Sequence, residues 1–222
     1  MTVYINDIFP FPLYKGFDEE KYAHDFVEAG TFIMRTLEYY RTIEDSIRKD
    51  KDEGEGRLVT SAYRPVLTLD KKTGEVVSKS SEYGPVFFGT GSINPRYIYC
   101  FSGPSVDIKY LARRYKYVVR LDNPMLLVSE ISTYLSHLNN LPDTMWLDCI
   151  QVRYDKDESI DQLPEPASQE RLRLSYAQKR RSFSSECEFR LVLTLPLKIE
   201  DTPQQLLIQL NKRLENAEII QT

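Results

Sequence analysis

The longest uninterrupted apolar run in this 222-residue chain is five residues, Tyr97 to Phe101. A membrane-spanning helix needs about 20 apolar residues, so no segment here can cross a bilayer as a helix. A core must instead be assembled from short strands and amphipathic helices, each burying one face. With 41% hydrophobic and 28% charged residues, the chain has enough apolar surface for that core, and disordered or fibrous classes are excluded. One globular domain over 1–222 is the expectation. Met1 to Asp7 carries no basic region, apolar stretch or small-residue cleavage site, which predicts a cytoplasmic protein with no membrane partner.

Periodicity places the elements. Asp18 is a helix cap, Phe17 is spaced to staple onto Tyr22, and Gly30 is a left-handed stop, so a helix is predicted over 19–29. A strand follows at 31–35, then a helix over 37–48. The segments 66–69 and 76–77 flank Asp70-Lys-Lys-Thr-Gly74 as a hairpin. Further strands are predicted at 86–88, 96–101, 116–121, 145–154 and 186–195, and helices at 105–114, 124–138 and 168–181. Thr202 and Gln205 form a capping box around Pro203, and Leu206, Leu207, Leu210 and Leu214 make a stripe, predicting a C-terminal helix over about 203–217 packed on the domain. Without regular βαβ alternation, the fold class is α+β with a mixed sheet and flanking helices.

Several chemistries are poorly supported. Three cysteines at wide spacing and two histidines provide neither a disulfide framework nor a zinc site. Asp50 and Asp52 resemble a calcium loop, yet Gly54 stands where a third oxygen ligand belongs. Gly89-Thr-Gly91 lacks the third glycine of a dinucleotide fingerprint, and Gly-x-Ser-x-Gly is absent. Cys100 or Cys187 with His24 or His137 would make a thiol hydrolase only as spatial neighbours.

Charge is more informative by position than in total. The net charge of −4 hides two acid-free stretches, Lys109 to Arg120 and Arg171 to Arg181, the first interleaved with Tyr110, Tyr115 and Tyr117. Arg113, Arg114, Lys116, Arg180 and Arg181 are therefore candidate nucleic-acid contacts. The alternative is two solvated faces, and only co-location in three dimensions separates the two.

The segment Ser182 to Leu195, read with period two, sets Glu186, Glu188 and Arg190 on one face and Cys187, Phe189, Leu191 and Leu193 on the other. Arg190 paired with Glu188 on an exposed sheet face is the structural alternative to a chemical role.

Three blocks carry a resemblance: Gly30-Thr-Phe-Ile-Met-Arg-Thr-Leu-Glu-Tyr-Tyr-Arg-Thr-Ile-Glu-Asp45 with the acidic, glycine-punctuated loop after it; Ile98-Tyr-Cys-Phe-Ser102; and Lys179, Phe183 and Glu186-Cys-Glu-Phe-Arg190. Together they resemble a group of bacterial and phage-defence proteins similar in layout to the ADP-ribosyltransferase superfamily. The central motif departs from that family's Ser-Thr-Ser. The resemblance implies a split sheet and NAD as substrate, with no metal. It implies Glu188 as the carboxylate that stabilises the cationic ribose and Glu186 as the acid that orients or deprotonates the acceptor. Arg35 or Arg41, with Tyr40 and Ser102, would hold NAD. A toxin or anti-phage effector is implied, acting on RNA by preference, on DNA or on protein, with an antitoxin or chaperone as partner. A non-catalytic interaction or nucleotide-sensing subunit of a defence complex is the alternative.

Overall fold

Among the described residues, nine strands between Thr2 and Ile220 form one sheet. The computed structural model describes residues 2–6, 8–42, 59–60, 64–69, 76–82, 96–138, 144–155, 159–160, 176–195 and 203–220. The elements are β1 (Thr2–Asn6), β2 (Leu13–Phe17), α1 (Glu20–Ala29), β3 (Thr31–Thr36), α2 (Leu37–Thr42), β4 (Val59–Thr60), β5 (Arg64–Leu69) and β6 (Val76–Glu82). After these come β7 (Arg96–Ser102), α3 (Ile108–Arg114), β8 (Tyr117–Leu121), α4 (Pro124–Ser136), β9 (Thr144–Gln151), β10 (Ser159–Ile160), a 3₁₀ turn (Arg181–Glu186), β11 (Glu188–Thr194), β12 (Gln205–Gln209) and β13 (Ala217–Ile220). This is a mixed α+β fold, as the sequence predicts.

The strand order is β1-β9-β11-β7-β2-β8-β13, with β3 joining β7 to β12. Among its described strands β1 and β9 run parallel, and the other pairs are antiparallel. The predicted hairpin is present as the separate β5–β6 pair.

Strand β7 governs the site. One edge is fully paired with β11, from Arg96↔Thr194 to Ser102↔Glu188. The other edge is shared: β3 pairs at Ile98 and Tyr97, and β2 pairs at Ser102. The sheet splits between them, beside Tyr99, Cys100 and Phe101.

Alternation along β7 and β11 loads the two faces differently. Tyr97, Tyr99, Phe101, Phe189, Leu191 and Leu193 join the main core with Phe26 of α1 and Leu127, Ile131 and Leu135 of α4. Phe26 meets Phe17 and Phe32 with ring centroids 5.7 Å apart in both cases. Each such buried side chain contributes about 1.5–3 kcal/mol. Ile98 and Val192 point to the opposite face, covered by Tyr176, Ala177, Leu37 and Tyr40. That second face also carries Glu188, Arg190, Cys100 and Ser102.

The C-terminal helix predicted over 203–217 is absent; the same residues form β12 and begin β13. In β12, Ile208 is buried and Leu207 is 47% exposed, so burial follows a strand's period and not the helical stripe. An unpaired β3 edge would expose a row of backbone donors and acceptors, and its ladder with β12 satisfies them where a helix could not. Downstream, the amides of Lys212 and Leu214 donate to the Ala29 and Val27 carbonyls, taking up acceptors orphaned at the end of α1.

Smaller corrections follow the same logic. Glu19, not Asp18, occupies the N-cap of α1, while Gly30 ends it in the left-handed region with φ 58°. Phe17 packs on Phe26, and Tyr22, the expected staple partner, is 52% exposed. The helix predicted over 168–181 has ended before Gln178, which bridges to Arg153. The last predicted strand begins at Glu188, because Glu186 belongs to the 3₁₀ turn. Strands β1 and β2 were not predicted. Residues 43–48, the loop at 50–56, the turn at 70–74, the strand at 86–88, Gly89 to Gly91 and residues 168–175 lie outside the described set.

Candidate functional site

The site begins with a reversal in the backbone. Cys187 closes the 3₁₀ turn in the left-handed region (φ 44°), donating its amide to the Ser184 carbonyl at 3.1 Å. The Cys187 carbonyl in turn accepts from the Gly103 amide at 2.7 Å. A Cβ on Gly103 would lie 2.4 Å from Phe189 Cε2, so only glycine lets the two chain segments approach here. Glu186 thereby swings off the strand, while Glu188 and Arg190 stay on β11 two residues apart and share one face. Across the ladder Glu188 stands opposite Ser102, and Arg190 opposite Cys100.

Ionisable groups alternate in sign across this face. Arg190 donates Nε–H to Glu188 Oε1 at 2.6 Å and a terminal N–H to the Tyr176 carbonyl at 2.9 Å. Lys179 Nζ lies 2.5 Å from Glu188 Oε2 and 3.0 Å from Glu186 Oε2. Arg114, in the last turn of α3, donates to Glu186 Oε1 at 2.8 Å and to the Tyr110 hydroxyl at 2.7 Å. The series Arg114, Glu186, Lys179, Glu188, Arg190 is continuous. Its deep end is sealed from water, with Glu188, Lys179 and Arg190 at 4%, 8% and 2% exposure. The exposed sheet-face pair allowed for Glu188 and Arg190 is thus a buried one.

This environment sets the protonation states. Burial alone would raise the Glu188 pKa, but the Arg190 and Lys179 charges and hydrogen bonds outweigh it and hold the carboxyl well below the usual range. Tyr154 Oη accepts the Glu188 amide N–H at 2.7 Å, and burial pushes that phenol up. Burial, reinforced by the Glu188 charge, pushes the Cys100 thiol up to about 12, leaving it protonated near neutral pH. The histidines complete no hydrolase: His24 faces Glu20 at 3.8 Å on the exposed side of α1, and His137 caps the end of α4.

A cavity of about 690 Å³ opens over this face and into the split of the sheet, within the roughly 300–1,000 Å³ typical of small-molecule sites. Arg35, Tyr40, Ser102, Glu186 and Glu188 all line it. Lys15 enters at the split, donating Nζ–H to the Cys100 carbonyl at 2.8 Å and lying 4.3 Å from the Tyr99 ring centroid. The Arg35 guanidinium lies 4.7 Å from the Tyr39 ring centroid, and its Nε is buried without a hydrogen-bond partner. The Arg41 side chain lies outside the described residues. No group of three or more His, Cys, Asp or Glu among the described residues is placed to hold a metal ion.

Comparison with protein-family models, curated proteins and solved structures gives no match. The geometry is therefore the basis for reading the site.

The basic residues divide. Arg113, Lys116, Arg180 and Arg181 are exposed, whereas Arg114 turns into the cavity to Glu186 and does not join them as a purely outward contact. Tyr110, noted in the sequence as one of the tyrosines of the basic stretch, was recoverable as a partner of Arg114 from its i,i+4 spacing on a helix. Lys15 and Tyr154 carried no local signal, since each reaches the site through strand pairing or a return of the chain.

Proposed function

We propose that this chain is an NAD-dependent ADP-ribosyltransferase built on a split sheet. What carries the reading is that Glu188, in register with Ser102, shares one dinucleotide-sized cavity with Arg35 and Tyr40. The residues suit such a ligand. Arg35 lines the cavity with a guanidinium suited to a pyrophosphate oxygen, and Tyr40 and Tyr39 offer ring faces for stacking. Ser102 offers a hydroxyl to the nicotinamide ribose.

Glu188 is ionised and fixed before any ligand arrives. A carboxylate so placed stabilises the positive charge that develops on the ribose as its bond to nicotinamide breaks and nicotinamide departs with the electron pair. Glu186, nearer the mouth and held by Arg114 and Lys179, takes the proton of the acceptor as the new bond to the ribose forms. In the cell this reading corresponds to a cytoplasmic toxin or anti-phage effector restrained by an antitoxin or chaperone partner, acting on RNA, DNA or protein.

One observation favours a second reading. Glu188 is already paired on both oxygens, by Arg190 and Lys179, which equally suits a nucleotide-sensing subunit that binds without turnover. Incubation of the native chain and Glu188→Gln with labelled NAD, RNA, DNA and cell extract separates the two. Label transfer by the native chain alone is expected; equal transfer by both overturns the role of Glu188. NAD binding with no transfer to any acceptor supports the sensing subunit.

A further inference from the structure

The two acid-free basic segments, separated by the residues 121–170, meet at one carboxylate. Glu186 accepts from Arg114 of the first segment at 2.8 Å and from Lys179 of the second at 3.0 Å. The residues that flank these two contacts, Arg113 and Lys116 on one side and Arg180 and Arg181 on the other, are exposed. Glu186 is itself paired with two cations, one from each segment. This is the co-location that distinguishes a functional surface from two unrelated solvated faces.

Aromatic rings stand at the same rim. Tyr110 and Tyr115, partly buried against Leu111 and Val118, line the cavity beside Arg114, whose guanidinium is hydrogen-bonded to the Tyr110 hydroxyl and lies 5.8 Å from the Tyr115 ring centroid. Cations that track a phosphate backbone beside rings on which bases stack are the elements of single-strand recognition. A duplex keeps its bases paired and stacked and presents no free ring face to such tyrosines.

We infer that this rim binds single-stranded nucleic acid, with Arg113, Lys116, Arg180 and Arg181 on the backbone and Tyr110 and Tyr115 on the bases. The surface would deliver an acceptor to Glu186 in the proposed transfer, but binding itself requires no NAD chemistry.

Fluorescence anisotropy of labelled 12-nucleotide RNA and DNA strands, titrated with the native chain in the absence of NAD, tests the inference. Four phosphate contacts give a log–log salt slope of about 3 and a loss of affinity of about 50-fold between 50 and 200 mM salt. Arg113→Glu with Arg180→Glu is expected to weaken binding at least tenfold. The control is Arg120→Glu, in the same basic stretch but on β8 and not among the residues that line the cavity, and it is expected to leave binding close to native. No binding at 50 mM salt overturns the inference, as does equal weakening by the control. Equal affinity for a duplex or for polyglutamate also overturns it. Strand binding is measured with no NAD present and label transfer with NAD, so failure of the transfer reading and failure of this surface are read separately.

Discussion

Arg190 and Glu188 form a hydrogen-bonded ion pair at 2.6 Å with both side chains almost wholly removed from water. Two residues apart on one strand, they are brought to the same face by the pleat alone. Lys179 completes the neutralisation from a separate segment. A buried charge is tolerated only while its partners remain, because the cost of leaving one unpaired exceeds what the pair contributes.

Removing one partner should therefore be costly. Arg190→Met is expected to lower the unfolding free energy by about 3–5 kcal/mol, measured by urea denaturation. Arg190→Met with Glu188→Gln should lose less than the single variant. A double variant that loses the sum of both single losses would show that the two charges do not depend on one another.

Glu188→Gln keeps the shape of the side chain and a hydrogen-bonding oxygen but removes the charge. If Glu188 stabilises a cationic ribose, NAD cleavage should fall by about 10²–10³-fold, the scale for loss of one electrostatic contact in a transition state. NAD affinity, followed by calorimetry, should change little. A parallel loss of binding would assign Glu188 to ground-state holding.

Acid should act through the same carboxylate. Its pKa in the folded chain lies below the ordinary 4.5, so its stabilising contribution is present above that value and is lost as the pH falls below it. Between about pH 5 and 2 the native chain should lose stability more steeply than Glu188→Gln. Parallel acid limbs for the two proteins would show that other groups govern the loss.

Cys100 lines the cavity yet its thiol is pushed up to about 12. Alkylation by iodoacetamide at pH 8, followed by mass spectrometry of the peptide, should be slow in the folded chain, since the thiolate is the reactive form. Cys100→Ser should retain label transfer. Rapid alkylation, or loss of transfer in that variant, would return the thiol to the chemistry.

Gly103→Ala places a methyl group against the Phe189 ring and within 3.2 Å of the Cys187 carbonyl oxygen. Overpacking of this kind costs about 1–3 kcal/mol, and the displaced segment is the one that separates Glu186 from Glu188. Lower thermal stability together with reduced transfer is expected; native values for both would show that the approach of these segments does not set the site.

Local patterns located most of the elements that carry the site. The strand containing Ser102, the strand carrying Glu188 and Arg190, and α1 with its Gly30 stop were all legible, because alternation and capping act within a few residues. The C-terminal segment misled for the same reason. Its capping box and leucine spacing are genuine helical signals, but they were outweighed by the need of β3 for a partner, a demand made from elsewhere in the chain.

By itself the sequence determined the fold class, the short elements and the set of residues with chemical potential, Glu186, Glu188, Arg35, Tyr40 and Ser102 among them. Only the tertiary structure decided that these converge on one cavity, that β7 is shared between β2 and β3 so that the sheet opens there, and that Lys179 bridges the two glutamates. It also turned Arg114 inward to Glu186 and away from the outward-facing Arg113. The physical reason is range: periodicity and capping are settled between neighbours, whereas ion pairing and strand pairing depend on which distant segments the core brings within a few ångströms.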